Sequence, residues 1–400
     1  MKCKYYSHRI GVLLASAIFA LLVLPNPSNG QWILQSGKMD QQVRRGEELV
    51  YNMDYQAATQ VFDSIIAENP DHPAGYFYSA MVEFWRAVTN PDNTTYDARY
   101  RARLQQALDR SDTLLAHNEL DLAGIFYKGA SLGMRARIFA IRPNWSDAIG
   151  IMLGDAREGI KYLNKIEELI PSNSDILFGR GLYNYYVEAI KDDEPFLRPL
   201  IGLFATGNKR VGLAMLEQAA KTASYAKIEA QYELMKLYYI YEKQYAKAYE
   251  LAQSLASRYP NNVQFLHYLA YSQVSLGMTE KYDSTYRVVL ARAREKREGY
   301  TVRQAREAMH FLGQAQLMSP YGNLDSALYF LYNSDLLSRT ISPNEMQWWL
   351  TREELLMGQA YDSKNDRPRA IQMYKRVLDL PDFNGDHAAA ERFLQTPYRK

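Results

Sequence analysis

A ladder of small residues constrains this chain more than any other feature. Gly46 is followed twelve positions on by Ala58, then four on by Phe62, three on by Ile65 and five on by Pro70; ten residues past that proline, Ala80 starts the ladder again. Two antiparallel helices approach closely only where a side chain is nearly absent, so Gly46 and Ala58 are expected to face each other at a helix crossing. Phe62 and Ile65 then bury against the next unit. Pro70 ends the second helix, because it cannot extend one and disfavours helical geometry in Asn69.

The spacing returns along the chain. Phe126, Ala130, Gly159, Leu163, Ile166 and Pro171 mark a third unit, and Gly181 with Gly212 a fourth. Ala248, Ala252, Leu255 and Pro260 mark a fifth, with Lys236 where the small residue should stand; Ala270, Tyr282, Tyr286 and Val289 mark a sixth. Gly313, Ala327, Leu331 and Ser334 belong to a seventh, and Gly358, Ala370, Tyr374 and Val377 to an eighth. This pattern resembles the tetratricopeptide repeat (TPR), a helix–turn–helix unit of about 34 residues. The resemblance covers about residues 39–382 and implies an all-α fold, a right-handed α-solenoid of about eight helical pairs in which each pair packs on its neighbours. Residues 31–386 are assigned to the solenoid. Residues 387–400 are assigned to a capping helix (His387 to Leu394) and tail.

The second to fourth units depart from the spacing. The second is loose between Ala80 and Leu120. Ala130 to Gly159 spans 29 residues where the first unit needs twelve, which places an insertion of about 17 around Arg137 to Gly154. Gly181 to Gly212 spans 31, which places about 19 more around Lys191 to Thr206. Gly154-Asp155-Ala156-Arg157-Glu158-Gly159-Ile160 is echoed by Gly207-Asn208-Lys209-Arg210-Val211-Gly212-Leu213 in repeat phase, an internal duplication in which Asp155 and Asn208 are expected to cap their helices.

Residues 1–30 read as a secretory signal rather than as fold, with an uncleaved membrane anchor as the alternative. Lys2, Lys4 and Arg9 precede an uncharged run from Ile10 to Leu24, with small residues at Ser28-Asn29-Gly30. The expectation is an exported protein of the periplasm, cell envelope or extracellular space. The only cysteine, Cys3, lies in this leader, so a mature chain has no disulfide and no thiol chemistry. Without the leader's three cations the formal charge falls from +2 to about −1, poor material for holding nucleic acid by its phosphates.

Nothing in the sequence asks for a cofactor or a metal. The six histidines are scattered, and no phosphate loop or nucleophile elbow occurs. The basic run Ala291 to Arg306 reads as a solvated helix face and its connector. Asn93-Thr94-Thr95 and Asn144-Trp145-Ser146 match the glycosylation pattern no better than polar loops do by chance. The chain is expected to be non-catalytic.

The 32 tyrosines are the better lead. In the TPR family the first helix of each unit lines a concave groove, at positions three before and one, four and five after its small residue. Carried over, the resemblance implies a partner-binding groove made by Phe77, Met81, Phe84 and Trp85, then Tyr127, Met134 and Arg135, then Phe178, Leu182, Tyr185 and Tyr186, then Ile240, Tyr241, His267 and Tyr271. Such a groove grips an apolar or extended peptide of a protein partner. The competing reading makes the same aromatics core, covered by the chain itself. The apolar stretch 195–204, with Phe196, Leu197, Leu200 and Phe204, must tuck into the groove, bind a partner or touch a membrane surface. The functional expectation is therefore a scaffold for protein or peptide binding, and the alternative an apolar-ligand or lipid-binding protein that uses the groove and 195–204.

Overall fold

The computed structural model describes residues 33–138, 141, 145–171, 173–193, 207–341 and 347–399. The expected leader and the whole of 195–204, including Phe196, Leu197, Leu200 and Phe204, lie outside these. Among the described residues there are seventeen α-helices and no strand. They are α1 Gly37–Tyr51, α2 Tyr55–Glu68, α3 Ala74–Thr89, α4 Asp97–His117, α5 Leu122–Arg137, α6 Trp145–Leu169, α7 Ser174–Asp193, α8 Lys209–Thr222 and α9 Lys227–Ile240. Then follow α10 Tyr245–Arg258, α11 Val263–Ser275, α12 Thr279–Arg294, α13 Val302–Met318, α14 Leu324–Ile341, α15 Gln347–Ser363, α16 Arg367–Leu378 and α17 Asp386–Gln395. Sixteen of them form eight consecutive TPR-like pairs, and α17 closes the array against α16.

The helix starts follow local chemistry. Ser36, Asp54, Asp121, Asn208, Asn262 and Asp366 each offer a side-chain oxygen to first-turn N–H groups that have no partner inside the helix. Thr301 and Gln304 make a reciprocal capping box at the start of α13. Asp155 does not cap. Helix α6 begins ten residues before it, because most of the expected insertion is extra helix rather than loop, and the duplication with Asn208 therefore holds in sequence but not in role.

At the crossings, glycine is a notch that a particular side chain fills. A Cβ on Gly46 would strike the Phe62 ring, one on Gly358 the Tyr374 ring, and one on Gly181 or Gly313 would lie 2.6 Å from Cγ of Leu216 or Leu331. In every case the filling residue stands four past the small residue of the second helix, one turn beyond the Gly46–Ala58 pairing expected from spacing alone. The side chain leans back toward the N-terminus of its helix and reaches the crossing from there. In the third unit it is Gly129 that meets Gly159, with its Cβ position 3.7 Å from the Gly159 carbonyl, rather than Ala130.

The pairs do not form an open arc. Helices α1 and α3 pack against units five and six, and the loop after α3 reaches the start of α13. The amide of Asn262 donates to the Tyr51 carbonyl (2.8 Å), that of Gln264 to the Val88 carbonyl (3.0 Å), and the Tyr225 hydroxyl to Asp40 (2.6 Å). Ion pairs Arg86–Glu298 (2.9 Å) and Arg303–Asp92 (2.5 Å) span more than 200 positions. Beneath them Trp85, fully buried, sits against Tyr51, Tyr232 and Phe265 at centroid distances of 5.5, 4.9 and 5.8 Å. Among the described residues one hydrophobic cluster spans the seam between Ile33 and Ala315 and a second runs from Leu317 to Phe393, with smaller ones between Tyr185 and Ala248 and around Ile125, Ile166 and Ile176.

Candidate functional site

The closure decides what becomes of the expected groove. Phe77, Phe84, Trp85, Tyr127 and Tyr185 are buried by the chain itself. Arg135 is held by Asp155 of its own unit through two bonds of 2.7 and 2.6 Å, so the residue expected to cap a helix instead neutralises one expected to meet a partner. Phe178 and Tyr186 are half-buried around Arg137, whose guanidinium lies 4.6 Å from the Phe84 centroid and 5.7 Å from that of Phe178. Arg137 bonds Glu229 (2.9 Å) and Glu233 (2.7 Å), and the Tyr186 hydroxyl reaches Glu233 (3.3 Å). Burial opposes the Arg137 charge, yet the two carboxylates more than offset it and hold its pKa above the ordinary value. Burial likewise raises Glu233, but Lys236 and Arg137 bring it below the usual carboxylate value. Tyr241 keeps 40% of its surface exposed.

His267 and Tyr271 stand elsewhere, where the inner face stays open. Both are half-buried and share Glu307, at 3.0 Å from the imidazole Nδ1 and 3.1 Å from the hydroxyl. Burial pushes the Glu307 carboxyl up, but His267, Arg306 and the Tyr271 hydroxyl leave it below its ordinary value. From Tyr271 a line of rings continues inward: Tyr239 stacks on it at 5.8 Å, and Phe311 meets it edge-on at 5.7 Å. Beyond Phe311 lie Trp349 and Trp348, 4.0 Å apart, with Phe383 5.0 Å from Trp348 on the other side.

These rings, with Val274, His310, Gln314 and Arg352, wall a cavity of about 380 Å³ between α9, α11, α13 and α15. The wall is chiefly aromatic, with His310, Gln314 and Arg352 among its few polar groups. Arg352 pairs with the buried Asp386 at 3.0 Å. His310 lies edge-on to Trp349 at 4.7 Å; burial lowers its pKa despite the raising effect of Glu353, so the ring is neutral at pH 7. Arg306 lies under the opposite side of the cluster, 3.8 Å from the Trp349 centroid. An arrangement of this kind binds apolar or planar groups and orients them by a few hydrogen bonds. Among the described residues no set of three or more His, Cys, Asp or Glu side chains could hold a metal ion.

Of the residues named from sequence, only Tyr271 lines this cavity. Extending the same positional rule to the seventh unit, at Gly313, yields His310 and Gln314, so two of the three wall residues of that helix were within reach. Trp348 and Trp349 lie well before Gly358, outside any groove position of the rule; the Trp-Trp pair itself was their only signal.

No family model matches the chain, and no curated protein matches its sequence. Among solved structures, the chain is similar to yeast Tom70 (12% identity, 87% of this chain and 86% of that one, TM-score 0.37). It is similar to the human IFIT1 dimer with PPP-AAAA (14% identity, 81% and 68%, TM-score 0.42). A tetratricopeptide repeat protein from Parabacteroides merdae is also similar (12% identity, 90% and 98%, TM-score 0.28). The fold assignment rests on the eight helix pairs themselves.

Proposed function

We propose that this chain is a non-catalytic, exported scaffold that binds an extended segment of a protein partner in the aromatic cavity between α9, α11, α13 and α15. The observation that carries the reading is Trp348, a ring 36% exposed at the mouth of the cavity between Trp349 and Phe383. Large aromatic anchors of this kind supply most of the energy at peptide interfaces. Export rests on the basic-then-apolar run at residues 2–24.

The test is a photo-reactive benzoylphenylalanine in place of Trp348, irradiated in the native host, with the same group at exposed Leu120 as control. A discrete protein adduct from position 348 alone supports the reading, and no adduct there overturns it. The apolar walls also favour a second reading, a lipid or other apolar ligand. Native mass spectra of the purified protein separate the two, since a retained small apolar molecule supports only the second.

A further inference from the structure

The outer surface of units six and seven carries a second groove, independent of the aromatic cavity. It lies between α12 and α14, holds about 410 Å³, and is walled by Arg287, Leu290, Ala291 and Arg294 on one side and Leu312, Tyr329 and Phe330 on the other. Its charged wall groups are both cations. Arg287 binds Asp283 through Nε (2.6 Å) and Nη2 (3.2 Å), with Nη1 outside that pairing. Arg294 comes from the basic run 291–306, most of which is spent elsewhere. Arg292 holds the Pro260 carbonyl and the Tyr300 hydroxyl, Arg297 pairs with Glu295, Arg303 with Asp92, and Arg306 lies on Trp349. Arg294 is exposed and faces the groove instead.

An apolar stripe leads away from this basic groove. Tyr329, Tyr332 and Leu336, at i, i+3 and i+7 of α14, are 54, 40 and 59% exposed. They form one line about 10 Å long at 1.5 Å per residue. Of the fourteen large apolar side chains exposed among the described residues, eight lie between positions 288 and 348. The outer helix of a repeat that met only water would show a polar face here. A stripe with this period is complementary to the apolar face of a second helix, and the two arginines at its end select the charge that helix carries.

We propose that α12 and α14 form a docking face for an acidic amphipathic helix of a partner protein, its apolar side on Tyr329, Tyr332 and Leu336 and its carboxylates on Arg287 and Arg294. The test uses fluorescence anisotropy with the full chain and two labelled 18-residue helical peptides that share one leucine face, the other positions being all Glu in one and all Lys in the other. The Glu peptide is expected to bind at least tenfold tighter than the Lys peptide. The doubly reversed variant Arg287→Glu, Arg294→Glu should invert that preference. Tyr329→Ser with Leu336→Ser should weaken the Glu peptide at least tenfold. All four side chains lie on the surface, and an unchanged helical circular-dichroism signal verifies that the variants fold. Equal affinities, no binding by either peptide, or a Glu-peptide affinity untouched by the charge reversal would overturn the proposal. So would a concentration-dependent dimer of the chain that the same variants dissolve, which would assign the face to a second copy.

Discussion

The indole N–H of Trp85 donates to Oε1 of Glu229 at 2.8 Å, joining the second unit to the fifth across 144 positions of sequence. Both groups are buried, and Glu229 is also bound by Arg137. Trp85→Phe keeps most of the ring volume but removes the donor from a buried carboxylate, and is expected to cost about 1–3 kcal/mol in urea unfolding. Trp85→Ala should cost about 3–5 kcal/mol through the cavity it leaves. Hydrogen exchange should speed up in α9 and α11 as well as in α3, because the lost contact belongs to all three.

Gly299 tests the seam in another way. Its φ of +81° is a conformation that other residues adopt at a cost, and a Cβ there would strike the Met53 methyl and lie 3.2 Å from Cβ of Thr89. Gly277 has a similar φ of +69° with open space around it. Gly277→Ala should cost only the backbone term, about 1–2 kcal/mol. Gly299→Ala should cost more, and the difference in thermal unfolding between the two variants measures how tightly the first two units are pressed onto the connector before α13.

The helix glycines divide in the same manner. Gly313→Ala pushes a methyl to 2.6 Å from Cγ of Leu331 and 3.1 Å from the Ala327 carbonyl, and should destabilise by about 1–3 kcal/mol. Gly133 lies in α5, exposed, with nothing within 4 Å of its Cβ position. Gly133→Ala should stabilise by about 0.5–1 kcal/mol, since only the helix propensity changes. Denaturant midpoints that move in opposite directions are the expected result.

Glu354 makes stability depend on pH. Burial, and after it Asp335, raise its carboxyl to about 7, against the pull of Arg376 and Arg339. The folded chain therefore holds a proton that the unfolded chain releases above its ordinary value near 4.5. The stabilisation is complete below that value and is lost as pH rises toward 7, by up to about 3 kcal/mol. Glu354→Gln, which stays neutral, should flatten melting temperature against pH across this window and leave the variant more stable than the parent at pH 8.

How much of this was legible in the sequence follows from which contacts are local. The helix pairs were, because Gly46, Gly181, Gly313 and Gly358 sit at crossings within one unit, where spacing along the chain fixes spacing in space. The spacing finds small residues that meet, Gly181 with the Gly212 carbonyl and Gly313 with that of Ala327, but not the side chain that fills each notch, since Cα spacing does not record the backward lean of Phe62 or Tyr374. The site was less legible still. A groove rule assumes that the inner face stays open, and whether Trp85 meets solvent or Glu229 depends on curvature accumulated over five units. His310 and Gln314 obeyed the rule in a unit to which it had not been applied. The pairing of Arg135 with Asp155 was out of reach because Asp155 lies in an extended α6 that the insertion hid.

An ordinary helical array is a row of near-independent bricks, and losing one at either end leaves the others standing. Here the first two bricks are mortared into the middle of the row through Asn262, Gln264, Gly299 and Arg303. Deleting α1 to α4 would therefore strip units five to seven as well, and unfolding should proceed as a single event across most of the chain. The chain gives up modularity, and ring-like closure makes it slow to assemble, because its decisive contacts wait on residues some 200 positions apart.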